Sequence, residues 1–339
     1  MGATLKISLR LHGGMRAADC VALAKVADAA GCHGLWFAEN PFARGIVPAM
    51  TACAAVTGKV KIGPGVLNPF ARHPALIAME IGALDEFSGG RVRLGIGAGV
   101  GQAIERMGFR YDRPVAAVRD AVTIIRALLR GDTAEHAGRV IAAKGIGLDF
   151  KSRANLPIYM AGRGDQTLRL CGELADGLFI SNMCAPGFVA RAIEVVRDAA
   201  AAAHRATPID VVQYVPCSVQ ADRSEAVRAA KRAVADMLPG FWRLAQRVSS
   251  AKNALLLGSN IGLEEFDRSV AGLAAGKSPE VLLDERFVNA FAIFGTAEEC
   301  RAQIAGFARI GVTELALTFS GPEPGTQIRY LTAGLPAAG

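Results

Sequence analysis

Nowhere does the chain run to about 18 consecutive apolar residues, the length a helix needs to cross a bilayer, so no membrane-spanning helix is expected. Its start, MGATLKISLRL, passes directly into apolar alternation and lacks the long apolar stretch and small-residue cleavage site of a secretory leader. A cytoplasmic protein without a membrane partner is the expectation. Metal and disulfide chemistry are equally poorly provided for. The seven cysteines, Cys20, Cys32, Cys53, Cys171, Cys184, Cys217 and Cys300, lie among apolar neighbours with no C-x-x-C pair. That pattern argues against a zinc site or a disulfide framework and for reduced core residues. His12, His33, His136 and His204 share no metal-ligand spacing, so no metal is expected. Dense basic runs are missing too. The net charge of +7 is spread through helical patterns, which disfavours nucleic acid as a partner. A basic mouth for an anionic cofactor needs far fewer charges.

What the chain does contain is core. Apolar residues make up 51% and charged residues 20% of its 339 positions, a normal balance for a protein with a sizeable buried interior. That length is long for one domain but ordinary for an α/β barrel. Strand-like and helix-like patterns alternate. Lys6 to Leu11 reads as a first strand, Arg16 to Ala30 as a helix stopped by Gly31, and Gly34 to Ala38 as a second strand. Pro48 to Thr57, Pro114 to Leu129, Asp165 to Ala175, Pro186 to His204, Ser224 to Leu238 and Thr296 to Arg309 read as helices. Pro157 to Ala161, Gly177 to Ser181, Ile209 to Val219 and Thr313 to Phe319 read as strands. The joints ADAAGCHGLWFA, GELADGLFI and FARIGVTELALTF form a loose internal repeat. Roughly eight strands alternating with helices point to parallel βαβ units closed into a barrel, with the first and last strands as neighbours. A doubly wound open sheet is the rival. One barrel domain over 1–339 is expected, with an insertion near 131–156, including a hairpin from Arg139 to Phe150, and a helical one near 239–290.

The stretch from Lys59 to Gly101 organises the rest. Val60 and Ile62 lead into Gly63-Pro64-Gly65-Val66, and Val92, Leu94 and Ile96 lead into Gly97-Ala98-Gly99. A helix between them starts near Pro74 and ends before Ser88-Gly89-Gly90. Both glycine clusters therefore open on one sheet edge, where a ligand can approach the backbone closely. The segment GPGVLNPFARHPALIAMEIGALDEFSGGRVRLGIGAG resembles the signature of the bacterial luciferase-like superfamily, and within it most resembles the methylenetetrahydromethanopterin reductase branch. The resemblance implies a (β/α)8 TIM barrel that binds FMN or the deazaflavin coenzyme F420.

It also implies roles for particular residues. Gly65 and Val66 stand where the family has a non-prolyl cis peptide supporting one flavin face, although GPG alone is compatible with an ordinary turn. Ala98 and Gly99 fall beside the ring. G-x-G-x-G lacks the third glycine spacing of a dinucleotide fingerprint, and no acidic residue sits at the expected later strand end, so a Rossmann reading is rejected. Ala161-Gly162-Arg163-Gly164 resembles the family's phosphate-binding element. A strand end opening into a helix offers backbone N–H groups for that purpose, with Arg163 as a charged donor. Asn68 is a hydrogen-bond donor to the cofactor, and Asn182 and Met183 either line its pocket or fill core.

Three positions that relatives fill with other groups are changed. Val100 stands where the reductases carry Asp, Glu39-Asn40 where many relatives have an acid followed by His, and Arg10 opposite the reductase's first-strand Glu. A general acid or base must be titratable and within reach of the reacting atom. Glu39 is the catalytic candidate with Asn40 beside it; the other reading of Glu39 is a salt bridge to Arg10 or Arg44. His73, next to Pro74, is better read as a helix cap or surface residue than a base. Phe241 and Trp242, in the helical insertion, are expected substrate contacts on a lid. The expected function is an F420- or FMN-dependent oxidoreductase moving hydride to or from a small organic substrate. An FMN-dependent monooxygenase and a flavin-binding protein without catalysis are the alternatives. A homodimer or higher homo-oligomer is expected from the resemblance.

Overall fold

Alternation along the first strand sets the architecture. In the computed structural model, which describes residues 5–333, β1 (Lys6–His12) turns Ile7, Leu9 and Leu11 into the main apolar core. Ser8 and Arg10, on the other face, meet groups inside the sheet's curve. The chain continues through α1 (Ala17–Ala29), β2 (Gly34–Ala38), α2 (Ile46–Val56), β3 (Lys61–Pro64), α3 (Pro74–Phe87), β4 (Leu94–Gly97), α4 (Gly101–Arg106) and α5 (Pro114–Arg130). A hairpin, β5 (Ala134–His136) and β6 (Ala143–Ile146), precedes β7 (Ile158–Ala161), α6 (Asp165–Leu174), β8 (Gly177–Ile180), α7 (Pro186–Ala202) and β9 (Asp210–Val219). Helices α8 (Arg223–Ala245), α9 (Ser249–Leu256), α10 (Leu263–Ala274), α11 (Pro279–Leu282) and α12 (Glu285–Phe291) follow. The described chain closes with β10 (Ile293–Gly295), α13 (Ala297–Arg309), β11 (Glu314–Phe319) and α14 (Pro324–Thr332). Residues 1–4, part of the start read above for a leader, lie outside the described residues.

The strands pair in the order β3-β2-β1-β11-β9-β8-β7-β4, all parallel, with β10 added to the far end of β9. Bridges between Ile62 and Val92 and between Leu67 and Ile96 bring the two ends of that order together. The result is a nearly closed (β/α)8 TIM barrel, and the first and last strands are neighbours as expected, with Lys6 opposite Glu314.

Large rings fill the barrel from one side and glycines yield on the other. Trp36, Tyr159, Phe179 and Tyr214 meet edge to face, with centroids 5.1 Å apart for Trp36–Tyr159, 4.8 Å for Trp36–Phe179 and 4.7 Å for Phe179–Tyr214. A Cβ at Gly63 would stand 2.8 Å from the Trp36 ring, and one at Gly65 2.2 Å from the Tyr214 hydroxyl. Beside this aromatic layer the Glu314 carboxylate is buried. It accepts hydrogen bonds from Arg93 Nη1 (2.5 Å), Arg93 Nη2 (3.1 Å), Trp36 Nε1 (2.7 Å) and Ser8 Oγ (2.5 Å). Burial pushes the Glu314 carboxyl up, but the charge and hydrogen bonds of Arg93, helped by His33 and Ser8, outweigh it and bring it down to about 2.

Two boundaries differ from expectation, and three elements were not foreseen. Helix α8 runs through Pro239 to Ala245 instead of stopping at Leu238. Its buried face, from Ala226 through Val234 to Trp242, packs into one apolar cluster, and that burial outweighs the backbone bond Pro239 cannot donate. The hairpin begins at Ala134 rather than Arg139, because Asp120 holds the backbone N–H groups of Val140 (2.8 Å) and Ile141 (3.0 Å) in the turn. The elements α4 and β10, of 6 and 3 residues, are too short to show a period, and the helix α14 beyond the last strand is a further element not foreseen.

Candidate active site

A parallel barrel gathers the carboxyl ends of its strands at one mouth, so the site assembles from residues just past each strand. At the end of β3 the Gly65–Val66 peptide is cis. Gly65 N–H donates to the Phe37 carbonyl at 2.7 Å, and the Gly65 carbonyl accepts from Tyr214 Oη at 2.8 Å. Pairing resumes beyond it, with Leu67 N–H on the Gly95 carbonyl and Gly97 N–H on the Leu67 carbonyl, each at 3.0 Å. A Cβ at Gly95 would lie 2.3 Å from the Pro64 oxygen, and one at Gly97 3.0 Å from Val66 Cγ2 and 3.4 Å from the Ala161 methyl. Gly65 and Gly95 thus leave no room for a side chain in the packed floor of the mouth, and Gly97 leaves little, with Val66 and Ala161 beside it.

Asn68 and Gly99 come together above this floor. Asn68 Oδ1 accepts from the N–H groups of Phe70 (3.2 Å) and Ala71 (2.9 Å), which leaves its amide nitrogen as the free end. Gly99 has a positive φ of 76°, and a Cβ there would be 2.9 Å from the Asn68 Cβ. Ala98 is half-buried next to it, and Val100 is 56% exposed at the start of α4.

On the β2 side, Glu39 is half-buried and its Oε1 accepts from Arg72 Nη1 at 3.4 Å, while Arg72 Nε lies 3.2 Å from Glu80. The salt bridge at this strand end is therefore to Arg72, not to Arg10 or Arg44. Arg10 Nη1 donates to Thr318 Oγ1 at 3.3 Å, and Arg44 Nη1 donates to the Gly14 carbonyl at 3.2 Å. Asn40 is exposed on the rim, its carbonyl taking the Ala43 N–H at 3.1 Å. His73 caps α3. Its Nδ1 accepts from Ala75 N–H at 3.1 Å, and its Nε2 is 3.1 Å from the Ala142 carbonyl. His12 is tied to Gly14 N–H at 3.1 Å, and burial together with Arg10 pushes its imidazole pKa below the usual value.

The β7 and β8 ends form a second group. A Cβ at Gly162 would meet Thr167 at 2.3 Å, and Gly164 is the residue before α6. Arg163 turns toward β8, where Nη2 donates to Ser181 Oγ and, at 3.3 Å, to the Asn182 carbonyl. Arg163 Nε and Asn182 Oδ1 are buried without a partner among the described residues. Phe241 lies under the Arg163 guanidinium at 5.1 Å, so α8 reaches this side of the mouth. Trp242 does not face it: the indole is buried, stacked on Phe266 at 4.8 Å, and donates to Asp267 at 2.8 Å. Met183 is buried in the same cluster as Trp242.

Residues 3–314 match the luciferase-like monooxygenase family. The chain belongs to that family. It is 31% identical over 292 residues to the 5,10-methylenetetrahydromethanopterin reductase of Archaeoglobus fulgidus, covering 86% of each chain. It is 29% identical over 294 residues to the enzyme of the same name from Methanolobus tindarius, covering 86% of this chain and 87% of that one. The solved coenzyme F420-dependent tetrahydromethanopterin reductase of Methanopyrus kandleri superposes with a TM-score of 0.86 at 25% identity, over 97% of this chain and 98% of that one. This luciferase-like chain is accordingly an oxidoreductase by family. Two contributors to its mouth escaped the sequence reading. Tyr214 sits at an inward position of β9 between Val212 and Pro216, and Arg72 lies four residues after Asn68 within the signature stretch.

Proposed function

We propose that this luciferase-like oxidoreductase uses coenzyme F420, or failing that FMN, and moves hydride between the flavin-type ring and a small organic substrate. The observation that carries the reading is likeness to proteins named methylenetetrahydromethanopterin reductase across 86% of the chain. The mouth fits such a cofactor. Gly65, Gly95 and Gly97 let β3, β4 and the Tyr214 ring pack closely at the strand ends, and the orphaned Arg163 Nε and Asn182 Oδ1 are polar groups of the kind a polar ligand satisfies. When bound, the cofactor supplies the hydride chemistry, and the protein supplies orientation and exclusion of water.

In this proposal Gly65 and Val66 support one ring face, while Ala98, Gly99 and the Asn68 amide flank its polar edge. Ala161, Gly162, Arg163, Gly164 and Asn182 hold the phosphate-bearing part. Glu39 exchanges a proton at its carboxylate with the substrate, Arg72 keeps that carboxylate placed, and Asn40 donates a hydrogen bond beside it. The chain is one barrel domain, with 131–156 and 239–290 as insertions and the Phe241 side of α8 over the mouth, in a cytoplasmic protein. Among the described residues no helix is long and apolar enough to cross a membrane.

A homodimer belongs to the same proposal. Helix α2 has no charged residue, and α3 leaves Leu76, Met79 and Phe87 exposed at 49%, 48% and 59%. These three share one stripe of α3, and α2 and α3 follow the paired strands β2 and β3. This exposed apolar stripe, bordered by Glu80 and Glu86, is the kind of patch that seats a protein partner, and a second copy of the chain is the proposed occupant.

Anaerobic reconstitution with F420 and with FMN, followed by absorbance and fluorescence, tests the cofactor. Tight uptake of F420 is expected. Tight uptake of FMN with none of F420 would replace the reading by an FMN-dependent monooxygenase. Reduced cofactor that passes no hydride to a panel of imines, alcohols and aldehydes would leave a binding protein without catalysis.

A further inference from the structure

We propose that Arg10 is a substrate-binding residue that receives a carboxylate, or an equally compact oxyanion, and that the substrates of this oxidoreductase are therefore anionic. The inference rests on the functional reading above and adds the substrate class to it.

The charges inside the barrel do not balance at Arg10. Arg93 and Glu314 neutralise each other, and Ser8 and Trp36 complete the carboxylate's hydrogen bonds. Glu39 is taken by Arg72. His12, next along the inner face of β1, adds no negative charge. Among the described residues Arg10 has no carboxylate partner. Its Nη1 donates one long bond, 3.3 Å, to Thr318, and its Nε is sealed from solvent with no acceptor. A guanidinium has five N–H groups and stays charged in proteins, even though burial lowers its pKa here. The Tyr214 ring, 5.0 Å away, covers one face of the fork but offers nothing in line with the N–H groups.

Position identifies what the fork awaits. The ring under Arg10 is the same Tyr214 whose hydroxyl holds the Gly65 carbonyl, so the guanidinium is one side chain from the Gly65–Val66 peptide. Small residues, Ala38, Gly97 and Ala161, stand at the strand ends around it, while the Tyr214 and Phe179 rings pack against Gly65 from below. A planar fork in such a place matches a carboxylate in bidentate fashion. A substrate so anchored would lie beside the proposed ring, which is the arrangement hydride transfer requires.

Benzoate and its neutral isostere benzamide test this on the full-length protein, with and without cofactor, read by thermal shift and by perturbation of cofactor absorbance. Wild type is expected to bind benzoate in preference to benzamide. Arg10→Met should weaken benzoate at least about tenfold, as loss of a charge-assisted bond does, and Arg10→Lys should recover part of it. Without ligand, Arg10→Met should melt no lower than wild type, since it removes an uncompensated charge. Equal binding of the two probes by wild type, or undiminished benzoate binding by Arg10→Met, overturns the assignment. So does a large loss of cofactor affinity in Arg10→Met with benzoate binding intact, because the anion would then belong to the cofactor. Cofactor uptake without benzoate preference defeats the Arg10 assignment alone. Benzoate preference without uptake of F420 or FMN upholds the oxyanion site and defeats the proposed cofactor reading alone.

Discussion

Tyr214 Oη donates a 2.8 Å hydrogen bond to the carbonyl oxygen of Gly65, tying β9 to the end of β3 across the barrel. Both groups are buried, and the Tyr214 ring also packs on Phe179. Tyr214→Phe keeps the ring and removes the donor, so the Gly65 carbonyl is left unpaired. The expected loss is about 1–3 kcal/mol of unfolding free energy, measured by urea denaturation. Cofactor affinity should fall with it, because the carbonyl belongs to the proposed floor. Unchanged stability would mean that another donor reaches Gly65.

That contact also marks where sequence reading stops. The limits of β2, Gly34 to Ala38, the start of α3 at Pro74 and the stop of α5 at Gly131 follow from local pattern and backbone chemistry, and each is found where expected. The glycines of β3 and β4 declared the mouth for the same reason: a missing side chain is visible in the sequence itself. Tyr214 was invisible as a partner of Gly65 because 149 residues separate them and only barrel closure joins them. The choice of Arg72 over Arg10 or Arg44 for Glu39 depends on how the ends of β2 and β3 lie side by side. Trp242, foreseen at the mouth, is buried instead, since one residue along a helix turns the side chain through about 100°. Local chemistry was legible; pairings across the barrel were not.

Glu314 carries a pH signature. Its folded value of about 2 lies below the ordinary 4.5, so the folded state holds its charged form preferentially. The stabilisation is fully present above about 4.5 and is lost as pH falls toward about 2, on the order of 3 kcal/mol by linkage. Unfolding free energy measured against pH should drop across that window. Glu314→Gln should flatten this part of the profile and cost about 3–5 kcal/mol at neutral pH, because Arg93 is then buried without its counter-charge. An unchanged acid limb in Glu314→Gln would assign the pH dependence elsewhere.

The α3 stripe predicts the oligomer. Placing a charge at Met79, as Met79→Glu or with Leu76→Glu added, sets two like charges against each other in a two-fold contact through this face. Sedimentation velocity should then show a monomer where wild type sediments as a dimer. The exposed position of Met79 makes loss of folding a poor explanation for such a change, and circular dichroism of the variant checks the point. A variant that still sediments as a dimer would place the contact on another face.

Glu39 is the sharpest test of catalysis. The Arg72 guanidinium touches one carboxylate oxygen, Oε1, at 3.4 Å, and the group stands half-buried just past β2. Glu39→Gln keeps the shape and the capacity to accept from Arg72 while removing the proton-exchanging group. If Glu39 is the acid or base, kcat for hydride transfer should fall about 100-fold or more. Cofactor affinity should hold, since Glu39 is not among the proposed cradle residues. Arg72→Met gives the complementary result: it frees the carboxylate without removing it, so kcat should fall by less than in Glu39→Gln. A Glu39→Gln variant with wild-type kcat would leave the ion pair with Arg72 as the whole of Glu39's role and transfer the search for the proton donor to the substrate itself.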